Sequence, residues 1–432
     1  MTFPIRSWQF ALLLCAGVVA GLCSETALGE VLRSLSPQSR ITAVQPMTGI
    51  VLWADSPQRQ TDAIQLEFAY MKYDAIVTTA GVYNWNAVDD LLNGIAQRHH
   101  QAILRFYDTY PGQETTVPAY IKALPDYHET VGQSEGQRTV FPDWRHSELK
   151  SFILEFYTRF AERYDNDPRL AFLETGFGLW AEYHIYDGPS ILGQTFPDKS
   201  FQATFLQHLN ATFTTTLWMI SIDAADDSMT PLAEQPALLG LAFGVFDDSF
   251  LCENHSQTNE PNWDFFDRTR WRRSPAGGEF SYYTAQDQSD ALAPNGPHGV
   301  SFEQAARDFH ITFMIGNDQP NYQPLSRIRE AGQACGYRFR VTEFACAADA
   351  SRVKIENFGV APLYYDAWVA VNGVRATVSL KGLAPGEIRE CLVAAGGPSP
   401  QLTIECDRLV PGQRIQYEAN LTNAAVDWTI YQ

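Results

Sequence analysis

A chain of 432 residues that is 45% hydrophobic and 13% aromatic can bury a large core, which excludes a disordered or low-complexity protein. Its formal net charge of -19 excludes nucleic acid and anionic membrane surfaces as partners, because both are bound through basic patches. A neutral ligand fits that balance.

Arg6 precedes the apolar run from Phe10 to Leu22, and the small residues Ala27 and Gly29 follow it. That run is short for a membrane span and has the layout of a secretory signal, residues 1–29, cleaved after Gly29. Export to the periplasm, cell surface or medium follows, with no membrane insertion once the signal is removed; an uncleaved anchor helix is the alternative. Residues 30–48 read as an irregular lead-in. Removal of Cys15 and Cys23 with the signal leaves Cys252, Cys335, Cys346, Cys391 and Cys406, an odd set with at least one free thiol. Their spacing shows no CxxC pair or zinc pattern. Cys391 and Cys406 fall in neighbouring predicted strands, so a disulfide between them and buried free thiols both fit.

From Gly49 the chain alternates between strand and helix patterns. GIVLWAD is a first strand, and the stretch from Ile64 holds a second. Val88, Leu91, Leu92 and Ile95 recur at helical spacing behind a cap at Asn84 or Asn86, and Ala102 to Tyr107 is the third strand, with Arg105 near its end. A long loop from Pro111 to Asp143 precedes a helix from Ser147 to Arg163. The stretch LAFLETGFGLWAEYH, Leu170 to His184, is the fourth strand. Alternation gives it one apolar face, and a second face with Glu174, Gly176, Gly178, Trp180 and Glu182 if it stays regular throughout.

A helix from Phe201 to Leu209 leads to a fifth strand, Leu217 to Ile222, and then the acidic DAADDS turn. The sixth strand is read at Leu239 to Phe246, ending in Asp247 and Asp248. The polar insertion Glu253 to Arg273 precedes the seventh strand, Gly277 to Tyr283, which carries Glu279. The helix from Phe302 to Phe309 and the strand from Ile311 to Ile315, with Asn317 just beyond, complete an eighth unit.

Eight such units over 49–335 predict an α/β fold, a (β/α)8 TIM barrel. No glycine-rich phosphate loop follows the first strand, which removes the usual reason for an open nucleotide-binding sheet. After Gly336 short alternating segments separated by turns such as Asn372-Gly373 and Pro385-Gly386 predict a small antiparallel β-sandwich over 336–432.

In a barrel of this kind Glu182 and Glu279 face each other across the C-terminal mouth. Two carboxylates so placed can hydrolyse a glycosidic bond, one protonating the leaving oxygen while the other attacks the anomeric carbon or activates water. Glu174 points to the same face but deeper, where pairing with Arg105 is its expected fate; Asp247 and Asp248 are second-choice candidates. Six tryptophans, at 53, 85, 144, 180, 263 and 271, lie near strand ends and mouth loops, and aromatic faces stack on the C–H faces of sugars. Trp180 and Tyr183 would desolvate the acid. His184, Arg105, Tyr107, Trp53, Asp248 and Asn317 complete the expected carbohydrate-binding set. Half of the tryptophans plugging the core is the plainer reading. His184 has no second histidine at ligand spacing, and DAADDS and DNDP read as solvated turns, so neither a metal nor a cofactor is expected; with no serine nucleophile elbow, an esterase reading is weak.

With Trp180-Ala181-Glu182-Tyr183-His184, Gly277-Gly278-Glu279 and the sandwich segments CGYRFRV and LAPGEIRE in view, the chain resembles an uncharacterised exported bacterial family related to glycoside hydrolase TIM barrels. That family shows Trp-Gly-Glu-Trp-His at the end of its fourth strand and a Gly-Gly-Glu strand. More distantly the segment from Gly81 to Tyr107 is similar to β-galactosidase-like glycoside hydrolases. That resemblance implies Glu182 as acid/base and Glu279 as nucleophile. It also expects Asn just before the acid/base, where this chain has Ala181. A catalytically inactive carbohydrate-binding barrel of the cell envelope is the alternative reading, and a structural envelope protein a third.

Overall fold

The computed structural model describes residues 32–419, and the signal segment at 1–29 lies outside them. Eight parallel strands close into a barrel: β1 (Gly49–Trp53), β2 (Leu66–Lys72), β3 (Gln101–Tyr107), β4 (Leu170–Glu174), β5 (Leu217–Ser221), β6 (Gly244–Phe250), β7 (Ala276–Phe280) and β8 (Phe313–Ile315), each paired with the next and β8 with β1. The major outer helices are α1 (Asn86–Gln97), α2 (Ser147–Tyr164), α3 (Lys199–Thr212), α4 (Asn259–Phe265), α5 (Phe302–Asp308) and α6 (Leu325–Gln333). The expected (β/α)8 architecture is what the chain adopts.

Alternation explains why β3 is buried along its whole length. Ala102, Leu104 and Phe106 enter the core under the helices, among Val88, Leu92, Phe156 and Phe160. Ile103 and Arg105 turn into the lumen instead. The lumen below the mouth is filled by Val51, Leu66, Phe68, Phe172, Phe246 and Phe313, and this cluster continues unbroken into Tyr337, Phe339 and Tyr365 beyond the barrel. Gly277 makes room for it, since a Cβ there would meet the Phe313 ring at 2.4 Å.

The C-terminal strands form two sheets. One contains Phe339–Cys346, Ser351–Asn357 and Ile388–Val393, the other Ala367–Val371, Val374–Arg375 and Leu402–Cys406. Asn372 and Gly373 both take left-handed φ, as the predicted tight turn requires. This unit plugs the barrel's base. The Tyr365 hydroxyl donates to Ala171 O (2.5 Å), and buried Arg408 donates to Leu170 O (2.6 Å). The open mouth is therefore at the far end, beyond the carboxyl ends of the strands.

Several local expectations give way. The lead-in supplies a strand, Arg33–Leu35, antiparallel to Phe344–Cys346. The loop at Pro111–Asp143 contains a hairpin, Thr130–Ser134 with Gln137–Phe141, turned by left-handed Glu135 and Gly136. The sixth strand starts later than read, because Pro236 opens a 3-10 turn through Gly240. Cys391 and Cys406 lie in different sheets, and all five cysteines of the described residues are buried free thiols, so the disulfide option falls. Among the described residues no helix is long and apolar enough to cross a membrane.

Candidate active site

The fourth strand ends at Glu174, well short of Glu182. From Thr175 the chain folds into a compact knot at the mouth. Leu179 N–H donates to His184 O (2.9 Å), Tyr183 N–H to Phe177 O (2.9 Å), and Trp180 N–H to Thr109 O beyond β3 (3.0 Å). Gly176 and Gly178 permit this crossing: a Cβ at either would lie 2.2 Å from the carbonyl oxygen of Ala181 or His184. Trp180, Ala181 and Tyr183 all take φ near +60°. Three non-glycine residues held left-handed around one carboxylate are local strain of the kind retained at working sites.

Tyr183 is a correction: expected beside the ligand, its ring lies fully buried in the core against Phe177 and Phe196, on the apolar side that alternation gives its neighbours Leu179 and Ala181. Ala181 takes the conformation that suits the glycine of the resembled Trp-Gly-Glu motif. Ala181→Gly should raise stability by about 0.5 kcal/mol, since release from a left-handed alanine (about 1–2 kcal/mol) outweighs glycine's extra backbone entropy (about 0.5–1 kcal/mol). A lower urea midpoint in the variant would refute this.

Arg105 is the hub of the mouth. It is fully buried, and β3–β4 pairing places it directly beside Glu174. Its Nε and Nη2 donate to Glu174 Oε2 at 2.9 and 2.5 Å, and its Nη1 to Asp248 Oδ2 at 2.6 Å. The same Nη1 lies 3.4 Å from Glu182 Oε1 and 3.3 Å from the Tyr70 hydroxyl. Phe246 stacks on the guanidinium at 4.3 Å. The expected Arg105–Glu174 pair is present, and Asp248 joins it. Alternation along β6 separates the two aspartates: Asp247 turns outward, accepting from Trp263 Nε1 (2.9 Å) and Asn259 Nδ2 (2.6 Å).

Glu279, on β7, faces the same group. Burial raises its pKa to about 8, with Arg105 opposing and the charges of Glu182 and Glu174 adding to the rise. Its Oε1 is buried without a hydrogen-bond partner, as is the Trp53 indole N–H beside it, which draws the pKa down slightly. Asp248 is pushed well above the carboxylate range, again by burial first, against the pull of Arg105. The structure thus gathers Glu182, Glu279, Arg105, Asp248 and Trp53 in one mouth.

His184 stands on the outer side of Glu182. Its Nε2 is 3.6 Å from Glu182 Oε2, and its Nδ1 is 3.4 Å from Asp223 Oδ2. Burial disfavours the imidazolium, but the two carboxylates outweigh it and raise the pKa to about 10. Asp223 was read as part of a solvated turn. It begins a 3-10 turn (Ile222–Ala225) at the end of β5, where the Ser221 hydroxyl caps its N–H and donates to its Oδ2 (2.9 Å). The spacing Ser221-x-Asp223 directly after a barrel strand was the available signal.

The remaining expected residues divide. The Trp180 ring lies in the rim, stacked on Tyr186 with centroids 6.0 Å apart. Tyr107 is buried behind Tyr70 and Tyr110, so it supports the rim instead of lining it. Asn317 Oδ1 accepts from Trp53 N–H (3.1 Å) and ties β1 to the segment after β8. Trp144 and Trp263 fill the core, Trp85 packs under α2, and Trp271 sits towards the base, its carbonyl accepting from the Tyr364 hydroxyl. Asp108 was also missed. Burial raises its pKa to about 7, against Thr109 and the Gly178 amide, directly beneath the knot that carries Glu182.

No family model and no curated protein sequence matches this chain. Among solved structures it is similar to an endo-glycoceramidase II from Rhodococcus sp. in its lactosyl-enzyme intermediate (12% identity, TM-score 0.43, covering 85% of this chain and 100% of that one). It is also similar to xylanase XynB from Paenibacillus barcinonensis (11%, 0.40, 68% and 99%) and to a GH5-4 broad specificity endoglucanase from an uncultured bacterium (11%, 0.39, 67% and 85%). These neighbours are glycoside hydrolases. At such scores the likeness carries no argument about chemistry; the barrel rests on its own strand pairing and the site on its own contacts.

Proposed function

We propose that the chain is an exported glycoside hydrolase that uses Glu182 and Glu279 as its two carboxylates. One observation carries the reading. Two acids nearly a hundred positions apart in the chain stand in the field of one buried guanidinium, Glu182 at 3.4 Å from it, and burial raises the pKa of Glu279 to about 8. A carboxyl group held protonated by burial, with a second carboxyl group in the same mouth, suits glycosidic cleavage. Aromatic side chains support a sugar ligand, with Trp180 and Tyr186 stacked on one another and Tyr282 and Tyr283 exposed just after β7. The signal-like layout of residues 1–29 supports export.

The test is hydrolysis of a glycan library by the purified protein. Glu182→Gln should lower turnover at least about 10²-fold on any glycan that is cleaved, as loss of a group acting in proton transfer or attack requires. Unchanged turnover removes Glu182 from the reaction. Ala181, in place of the expected Asn, favours a second reading as a carbohydrate-binding barrel. Glycan binding with no product release by the unaltered protein would select it.

A further inference from the structure

Past β7 the chain mounts two exposed phenols on a buried scaffold. Ser281 is fully buried, and its N–H donates to Phe250 O (3.1 Å), one rung beyond the β6–β7 pairing. Buried Asp287, on the short helix Ala285–Ser289, accepts from the Ser281 and Thr284 hydroxyls (2.5 Å each) and lies 3.0 Å from His298 Nε2. Buried Gln288 donates to the carbonyls of Phe280 and Ser281 (2.9 Å each). Between Ser281 and Thr284 stand Tyr282 and Tyr283, 48% and 76% exposed. Their surroundings differ. The Tyr282 phenol lies in the field of Glu279 and has Asp318 and exposed Tyr322 near it, both from the segment after β8. That segment is tied to the same scaffold, since Gln319 Nε2 donates to Gln288 O (2.8 Å). The Tyr283 phenol instead meets the Ser249 hydroxyl near the end of β6 and the field of Asp223, just after β5.

We propose, resting on the reading of the mouth as a glycan-cleaving site, that Tyr282 and Tyr283 are sugar-stacking subsites on either side of Glu279, so that the substrate is an uncharged glycan chain of three or more sugars and not a lone terminal sugar. A pyranose ring presents an apolar C–H face, and a phenol that is exposed yet fixed in place binds it with little ordering cost. The Asp287–Gln288 network supplies that fixing: two buried polar side chains hold a segment whose phenols add little to the core. One phenol stands towards β8 and the other towards β5 and β6, with Glu279 on the strand that leads into both. A ring held at Glu279 therefore has an aromatic neighbour in each direction. Asp318 on one side, and Ser249 and Asp223 on the other, can bond the sugar hydroxyls. Beyond Asp223 the row continues through His184 to Tyr186, with centroids 5.2 Å apart, and on to Trp180. Carboxylates on both sides oppose an acidic sugar, as does the net charge of -19.

The test gives the full chain linear gluco-, manno- and xylo-oligosaccharides of one to six sugars, with oligogalacturonates of the same lengths, in calorimetric titrations and product analysis by mass. In the neutral series that binds, affinity should rise at least about tenfold from one sugar to three, and the acidic chains should bind more weakly. Tyr282→Ala and Tyr283→Ala should each weaken the trisaccharide about three- to tenfold, the worth of one aromatic contact, and leave the single sugar unchanged. Tyr282→Phe and Tyr283→Phe should bind nearly as the native chain does, because the ring face makes the contact. Affinity that does not grow with length overturns the proposal, as do alanine variants that hold the trisaccharide like the native chain, oligogalacturonates bound as tightly as neutral chains, or binding of none of these chains. Cleavage that releases only single terminal sugars, untouched by either alanine, leaves hydrolysis standing and rejects the subsites. Length-dependent binding that the alanines weaken, with no product formed, keeps the subsites and removes hydrolysis.

Discussion

At pH 7.5, Arg105→Met will cost the fold about 3–5 kcal/mol in urea unfolding, the loss expected when one partner of a buried ion pair is removed. The methionine matches much of the side chain's length and apolar stem, so packing against Phe246 and Phe68 is largely kept. What is lost is the only guanidinium, among the described residues, in contact with Glu174, which is wholly buried, and with Asp248, whose side chain is 7% exposed. Those carboxyl groups escape by taking up protons. Burial already raises both, Asp248 well above its usual range. The cost should therefore shrink at pH 5, where protons are plentiful, and adding Glu174→Gln should recover part of it through direct coupling. A loss below about 1 kcal/mol at pH 7.5, outside the range for buried pairs, would show that the mouth is wetter than its burial implies.

The barrel was legible in the sequence because its strands are buried on both faces and read as runs bounded by turns, as in Gly49–Trp53 and Gln101–Tyr107. So was the meeting of Arg105 with Glu174, since alternation turns both inward on neighbouring strands. The knot from Thr175 to His184 was not legible. Trp180, Ala181 and Tyr183 have no preference for left-handed backbone, so nothing local announces that the strand stops at Glu174. Asp223 was hidden differently, because a Ser–x–Asp cap looks the same whether its carboxylate faces water or a histidine. The strand at Arg33–Leu35 pairs with residues more than three hundred positions away, which no local pattern encodes.

Glu279→Gln should be less active and more stable, with the stability gain confined to alkaline pH. The sign follows from linkage. A carboxyl whose folded-state pKa is about 8 instead of 4.5 keeps its proton in the folded chain and loses it in the unfolded one between those values. Its contribution to stability therefore falls as pH rises from 4.5 and has been lost once pH passes about 8. At about 1.4 kcal/mol per pH unit, halved for solvent reaching the mouth, the variant should gain about 2 kcal/mol over the native chain at pH 9 and little at pH 5. His184 adds a separate slope of the same sign. Its folded-state pKa of about 10 against 6.5 gives support that is full below 6.5 and lost as pH rises through 10. Because the glutamine leaves His184 in place, that second slope should remain in the Glu279→Gln profile while the first disappears. Equal stability of variant and native chain across pH 5–9 would mean that Glu279 is ionised throughout, as an ordinary surface carboxylate is. Loss of turnover together with the alkaline gain would show one buried carboxyl group serving the chemistry at the expense of the fold.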